Sequence, residues 1–303
     1  MAAASKPSRL SYRLSRARVS YVDVIAVAFA ALLTLAILVP FINVIAVSFA
    51  SQTAYYNNRF MLFPPEFTLS NYKELFKDNR ILTGYRTSGT LALLGVPLNM
   101  FLTVSLAYGT SRPAYPGKKL IMFIVLFTMF FSGGIIPLYL LIKGMRLTDT
   151  LASVILCTGL GTFNMILVRN YFYALPDSLM ESAKLDGAGE WRILLRIALP
   201  LSLPILATVS LFYLVDRWNE WYLAMIFIRS TKKTTLQLVL RSIMLVNQMT
   251  NAIQSATAID QLQRFDIGVR MGAIVVTILP VMCVFPFLQK HFAKGVMVGA
   301  IKT

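Results

Sequence analysis

The feature that most constrains this 303-residue chain is the spacing of its charges, which leave long apolar blocks untouched. Blocks 87–109, 120–142 and 150–168 contain no Asp, Glu, Lys or Arg, and 273–289 contains none either. Block 22–50 carries only Asp23, at its start, while 201–228 carries Asp216, Arg217 and Glu220. A helix crosses the hydrocarbon core with about 20 mostly apolar residues. Backbone N–H and C=O groups in lipid must be satisfied within the segment, so these blocks are read as helices. The alternation of a membrane β-barrel is absent. The expectation is an all-α polytopic membrane protein with six transmembrane helices. Composition agrees: 57% of residues are hydrophobic and 14% charged, against about 25% charged in soluble domains.

Charge then suggests an orientation. The chain has 29 Lys+Arg against 13 Asp+Glu, a net +16. Lys6, Arg9, Arg13, Arg16 and Arg18 precede the first block; Arg112, Lys118 and Lys119 follow the second; Lys290, Lys294 and Lys302 close the chain. Basic residues near span ends favour the cytoplasmic side. Both termini are therefore placed in the cytoplasm of a bacterial inner membrane. This divides the chain into a basic tail (1–21), a first helix (22–50), an extracytoplasmic loop (51–86), a five-helix core (87–290) and a second tail (291–303). The first block is too long for the apolar region of a cleaved signal peptide, about 7–15 residues, and reads as an anchor. The extracytoplasmic stretch 229–268 reads as a loop with a polar segment at 247–263. The excess charge is spread over both faces and forms no nucleic-acid patch.

Catalytic constellations are missing from the sequence. Cys157 and Cys283 lie inside apolar blocks, and His291 is the only histidine, so neither a Cys–His site nor metal-ligand spacing can be composed. The run Pro116-Gly117-Lys118-Lys119 lacks the earlier glycine and the Ser/Thr of a phosphate loop. The reading is a non-enzyme with no bound cofactor. If it moves a solute uphill, ATP and Mg belong to another chain.

The most informative stretch is 171–200, YFYALPDSLMESAKLDGAGEWRILLRIALP. Pro176 and Asp177 suit a helix start, Glu181 and Lys184 are spaced as an i,i+3 pair, and Asp186-Gly187 signals a sharp end. A second short helix is expected over 189–196. Arg169, Lys184, Arg192 and Arg196 balance Asp177, Glu181, Asp186 and Glu190. A helix lying on lipid is more often basic, so the balance favours docking to a protein over docking to the membrane surface.

This loop resembles the EAA motif of permease subunits of binding-protein-dependent ABC importers, E-A-A-x3-G-x9-I-x-L-P. Here it reads Glu181-Ser182-Ala183, Gly187, Ile197, Leu199-Pro200, with Ser182 the single departure. Asp186-Gly187-Ala188, the stretch 131–141 (FSGGIIPLYLL), Leu211-Phe212-Tyr213 with Trp218-Asn219-Glu220-Trp221, the segment 236–241 (LQLVLR) and the C-terminal 294–302 resemble the polysaccharide–oligosaccharide branch. The resemblance spans roughly 85–290. It implies a heterodimer with a second permease, two cytoplasmic ATPase subunits, an extracytoplasmic solute-binding protein and an oligosaccharide cargo, with acidic sugars such as uronate oligomers in view. It also implies that Leu179, Glu181, Ser182, Ala183, Asp186, Gly187 and Ala188 engage the ATPase, Gly187 supplying a tight turn.

The cluster Asp216, Arg217, Trp218, Asn219, Glu220 and Trp221 sits in an apolar block, where ionisable groups cost free energy unless paired or wet. One reading is a structural ion pair, Arg217 neutralising Asp216 or Glu220, at the contact with the second permease. The other is a translocation path, with aromatic rings and polar groups suited to sugars. Ser132-Gly133-Gly134 and Pro137 are expected to serve simple packing, a bend or a close helix approach being the alternative. A self-contained secondary transporter using the intramembrane acids is the functional alternative to the ABC permease.

Overall fold

The computed structural model describes residues 21–113, 115–253 and 266–300, with the side chains of 246–253, 266 and 287–300 excepted. The basic N-terminal tail, 254–265 of the polar segment and 301–303 lie outside the described residues. Among those described, β-type pairing amounts to one isolated antiparallel bridge, Ala50 with Phe67; the rest of the regular secondary structure is helical.

Three helices are long and apolar enough to cross a membrane unbroken: α1 (Tyr21–Ser48), α4 (Asn79–Ser111) and the segment Ile267–Pro286 of α15 (Asp266–Ala300). Three further spans arise only if bent pairs are joined. These are α5 (Lys118–Phe130) with α6 (Ile135–Gly144), bent by 117°; α7 (Leu151–Cys157) with α8 (Thr162–Tyr173), bent by 52°; and the segment Glu190–Leu201 with α12 (Leu203–Trp218), bent by 83°. That middle segment comprises α10 (Glu190–Ile193), a π-helical turn (Leu194–Ala198) and α11 (Leu199–Leu201). Short helices α2 (Gln52–Asn57) and α3 (Ser70–Lys77) precede α4, α9 (Asp177–Leu185) precedes α10, and α13 (Tyr222–Phe227) and α14 (Leu236–Ile253) precede α15.

Breaks interrupt three of the six expected spans, which number six only if each bent pair is counted as one. Block 120–142 is interrupted at 131–134, where Gly134 takes φ +84°. That left-handed value suits a residue without Cβ. A Cβ on Gly133 would meet nothing within 4 Å, so these glycines make a bend and not a close helix approach. Within the expected loop at 229–268, residues 236–253 form the helix α14, with Leu236 and Val239 buried. Its start is fastened to α4, since the Leu236 N–H donates to Ser88 Oγ at 3.0 Å. Helix α4 itself starts well before the apolar block, because Asp78 caps it by accepting the Arg80 N–H at 2.9 Å.

Packing follows composition. The side chains of α1 are exposed over most of the helix and apolar (Ile25, Phe29, Leu32, Leu35), as lipid contact requires, whereas Ala46 and Val47 at its end are buried against Ala50, Ala54 and Met61. The largest core joins α4 (Ala107, Tyr108), α8 (Met165, Val168, Phe172) and α12 (Leu206, Val209, Tyr213) to Met180, Ile193 and Ala198 of the 171–200 stretch. That stretch is thus seated on the span core rather than suspended from it. At another point the loop preceding α7 is clamped to the one following α13: Asp149 Oδ1 accepts the Arg229 and Ser230 N–H groups at 3.0 and 2.9 Å. The Ser230 and Arg229 amides hold the Asp149 carboxyl below the ordinary carboxylate range.

Close backbone contact gives the sharpest test of this packing. A Cβ at Gly84 would lie 2.8 Å from Leu236 Cα and 3.1 Å from its N, so Gly84→Ala must push α14 off α4. Overpacking of this kind costs about 1–3 kcal/mol. Thermal unfolding in detergent is expected to show that loss, while Gly89→Ala, which meets nothing within 4 Å, leaves the midpoint unchanged or higher.

Candidate functional site

A cavity of about 550 Å³ opens where α4, the α7–α8 break and the end of α12 meet. Its architecture rests on one guanidinium. Helix α7 ends at Cys157, leaving last-turn carbonyls without intrahelical partners. Arg217, 2% exposed, supplies the donors: Nη1 to Val154 O at 3.1 Å, and Nη2 to Ile155 O at 2.9 Å and Thr158 O at 3.1 Å. Nη1 also donates to Thr158 Oγ1. A cation at a helix C-terminus is the favourable sign for the dipole. Asn99 of α4 completes the arrangement. Its Oδ1 accepts from Arg217 Nε (3.2 Å) and Nη2 (2.7 Å), while its Nδ2 donates to the carbonyls of Thr158 (2.6 Å) and Gly159 (3.0 Å). Gly95, one turn earlier on α4, leaves the space; a Cβ there would be 2.6 Å from Arg217 Nε.

The other side of the break is held from the same helix. Tyr213, four residues before Arg217, accepts the Gly161 N–H at 3.0 Å and is 2.7 Å from Thr103 Oγ1. Gly161 is the cap of α8, so α12 takes the carbonyl end of α7 and the amide end of α8 with two side chains on one face. Neither Asn99, Gly95 nor Tyr213 was singled out as a site residue from sequence. A lone Asn in the uncharged block 87–109 was the available signal, since polar side chains within spans usually find interhelical partners.

The sequence-derived cluster separates into distinct roles. Asp216, Asn219, Glu220 and Trp221 border the cavity together with the inner edge of Arg217. Trp218 does not: it is buried, its Nε1 donates to Thr277 O at 3.1 Å, and its ring lies 5.9 Å from Tyr85. The expected ion pair is also corrected. Among the described residues no salt bridge joins Arg217 to Asp216 or Glu220, because backbone carbonyls and Asn99 already take the guanidinium. Glu220 instead accepts the Leu223 N–H at 2.8 Å at the start of α13. Asn219 Oδ1 accepts from Gln237 Nε2 at 2.9 Å, and Arg241 stands 3.8 Å over the Trp221 ring. Asp216 is exposed to the cavity.

The second assembly is the 171–200 stretch. Helix α9 closes in a Schellman motif: the Ala188 N–H reaches Ala183 O at 2.9 Å and the Gly187 N–H reaches Lys184 O at 3.0 Å. Gly187 has φ +76°, and a Cβ there would meet nothing within 4 Å, so conformation and not space demands glycine. Leu179, Glu181, Ser182 and Asp186 are exposed, as is Leu185 at 89%. Ala183 and Ala188 are half-buried and pack inward on the core, so they support the exposed face. The pairing of Glu181 with Lys184 is replaced: Lys184 Nζ lies 2.7 Å from Glu190 Oε1.

Residues 84–298 match the model of a family described as the binding-protein-dependent transport system inner membrane component. The chain belongs to that family. The match covers the region of sequence resemblance and both assemblies. Two relatives from Bacillus subtilis (strain 168) are each 38% identical: the protein LplC, over 88% of this chain and 89% of its own, and the polygalacturonan/rhamnogalacturonan transport system permease protein YtcP, over 92% and 98%. A chain from the crystal structure of a bacterial ABC transporter that imports the acidic polysaccharide alginate superposes with a TM-score of 0.80 at 29% identity, covering 90% of this chain and 98% of that one. Family membership removes the self-contained secondary transporter from consideration, and with it any need for proton-carrying acids.

The site geometry separates structural from exposed residues. Arg217→Met removes the donors that the Ile155 carbonyl and Asn99 Oδ1 take from it, a penalty of about 1–3 kcal/mol for each unsatisfied group. A marked fall of the unfolding midpoint in detergent is expected. Asp216→Asn, at an exposed position, should stay within about 0.5 kcal/mol of the parent.

Proposed function

We propose that this chain is one of two unlike transmembrane subunits of an ABC importer that carries oligosaccharides into the cytoplasm, with ATP hydrolysed on two partner ATPase subunits. A solute-binding protein on the outer face delivers the cargo. The observation that carries this reading is the 171–200 stretch. It presents an exposed helix ending at a glycine-dependent turn, seated on the cores of α4, α8 and α12. Such a surface is rigid on its inner side and bare on its outer side, as a docking element must be. In this reading Leu179, Glu181, Ser182 and Asp186 meet the ATPase, Ala183 and Ala188 brace them, and both chain termini are cytoplasmic.

The 550 Å³ cavity is the share of the translocation path contributed by this subunit. Asp216 and Asn219 offer hydrogen-bonding groups, and Trp221 offers a ring face, which together suit a hydroxyl-rich sugar. The cargo is proposed to be an acidic oligosaccharide. Support comes from relatives whose names refer to polygalacturonan/rhamnogalacturonan transport and to import of alginate, an acidic polysaccharide. ATP-driven closure of the ATPase dimer favours one of two arrangements of the spans through differential contact with the docking helix.

The test uses the complex extracted in detergent with its partners. The parent chain is expected to bring down a second permease and an ATPase subunit; recovery of neither refutes the proposal. Gly187→Val places an L side chain at φ +76°, at a cost of about 1–2 kcal/mol or more. The variant chain should insert in the membrane but lose most of the ATPase stimulation given by the loaded binding protein. Full stimulation would show that the turn has no part in coupling.

A further inference from the structure

The docking helix must do more than bind an ATPase; its movement has to reach the spans. One group links the two halves of the docking stretch to a single span. Glu190, the first residue of α10, uses both carboxylate oxygens: Oε1 lies 2.7 Å from Lys184 Nζ on α9, and Oε2 accepts the Tyr108 hydroxyl at 2.9 Å. Tyr108 stands one turn from the end of α4 and is itself fixed. Its ring meets Phe172 of α8 edge-on at 5.7 Å, and Arg112 lies 4.2 Å over it. The Arg112 Nη2 reaches Met180 Sδ of α9 at 3.7 Å. The two bonds share one carboxylate, half exposed at the surface, where an ion pair positions more than it stabilises.

We propose that Glu190 is a positioning residue for energy coupling, tying the docking helix through Lys184 to the base of α4 through Tyr108. This rests on the reading of 171–200 as the ATPase-docking element. From Tyr108 the same helix runs nine residues to Asn99, about 13.5 Å at 1.5 Å per residue. Asn99 holds Arg217, and Arg217 holds the end of α7 at the cavity. Displacement of α9 is thereby passed to α4 and on to the broken span, through groups in direct contact at every step. Without Glu190, α9 keeps its apolar seat through Met180 but loses the polar tie that resists sliding.

Cys157, at the end of α7 on the cavity wall, reports the far end of this route without any sugar being needed. The experiment measures labelling of Cys157 by a water-soluble maleimide in the assembled complex, in a Cys283→Ser background, with and without ATP. In the parent, ATP is expected to change the labelling rate. In Glu190→Gln the ATPase subunits stay bound while the ATP-dependent change shrinks about fivefold or more, the lower end of usual coupling energies. Tyr108→Phe, which removes a single oxygen, gives the same loss. An unchanged response in Glu190→Gln overturns the proposal while leaving the docking reading intact. Absence of ATPase subunits from the parent complex refutes the docking reading instead. If Glu190→Gln and Tyr108→Phe both fail to assemble, Glu190 is structural and the coupling role is refuted.

Discussion

A break in a membrane helix exposes backbone carbonyls and amides to a medium that cannot satisfy them. This chain accepts such breaks in three spans, and the one between α7 and α8 shows how it is stabilised. Arg217 and Tyr213 reach across from α12, one supplying donors to the stranded carbonyls of α7 and the other accepting the amide at the start of α8. Asn99 of α4 serves both the guanidinium and the carbonyls of Thr158 and Gly159. The cavity exists because three helices converge on that repair. Replace the break with a straight helix and neither the space nor the buried arginine has a reason to be there.

The same constraint explains why the ionisable residues of α12 behave so differently from one another. Arg217 has its donors taken by backbone oxygens, Asn99 and Thr158, so its charge stands at the cavity wall without a bonded carboxylate among the described residues. Glu220 is occupied at the start of α13 and Trp218 is drawn into the packing with Tyr85 and Thr277. What remains facing the open volume is Asp216, with Asn219 and Trp221 at the rim. The six consecutive residues thus divide where α12 ends: Arg217 and Trp218 hold structure, while Asp216 and the residues after the helix border the space.

Sequence revealed the helices because apolar blocks are a statement about solvent, and solvent acts on whole segments. It revealed the helix and sharp turn within 171–200 because Pro176, Asp177 and Gly187 carry local backbone requirements that need no tertiary partner. The bends were harder to read. Block 120–142 is uniformly uncharged, and nothing in its composition distinguishes a straight span from two helices at 117°; Ser132-Gly133-Gly134 marked the place without fixing the consequence. The partners of Arg217 were hidden for a different reason. Asp216 and Glu220 were its visible neighbours, whereas its actual acceptors are mostly main-chain carbonyls some sixty residues away, and a carbonyl has no letter in the sequence. Lys184 was misassigned in the same way, to the nearer Glu181 instead of the Glu190 brought back by the turn at Gly187.

That turn connects the two assemblies. Because Gly187 reverses the chain, α10 returns alongside α9 and presents Glu190 to both Lys184 and Tyr108. A helix ending in any other geometry would carry the same residues and leave them apart. Helix α4 then supplies what neither assembly has alone, a single continuous element with Tyr108 near one end and Asn99 and Gly95 at the cavity. A packed helix transmits displacement because interiors are dense and compress little. Polar ties at Tyr108 and Asn99, with Thr103 bonded to Tyr213 between them, let a push at one end of this stretch of α4 arrive at the other as a shift of the broken span.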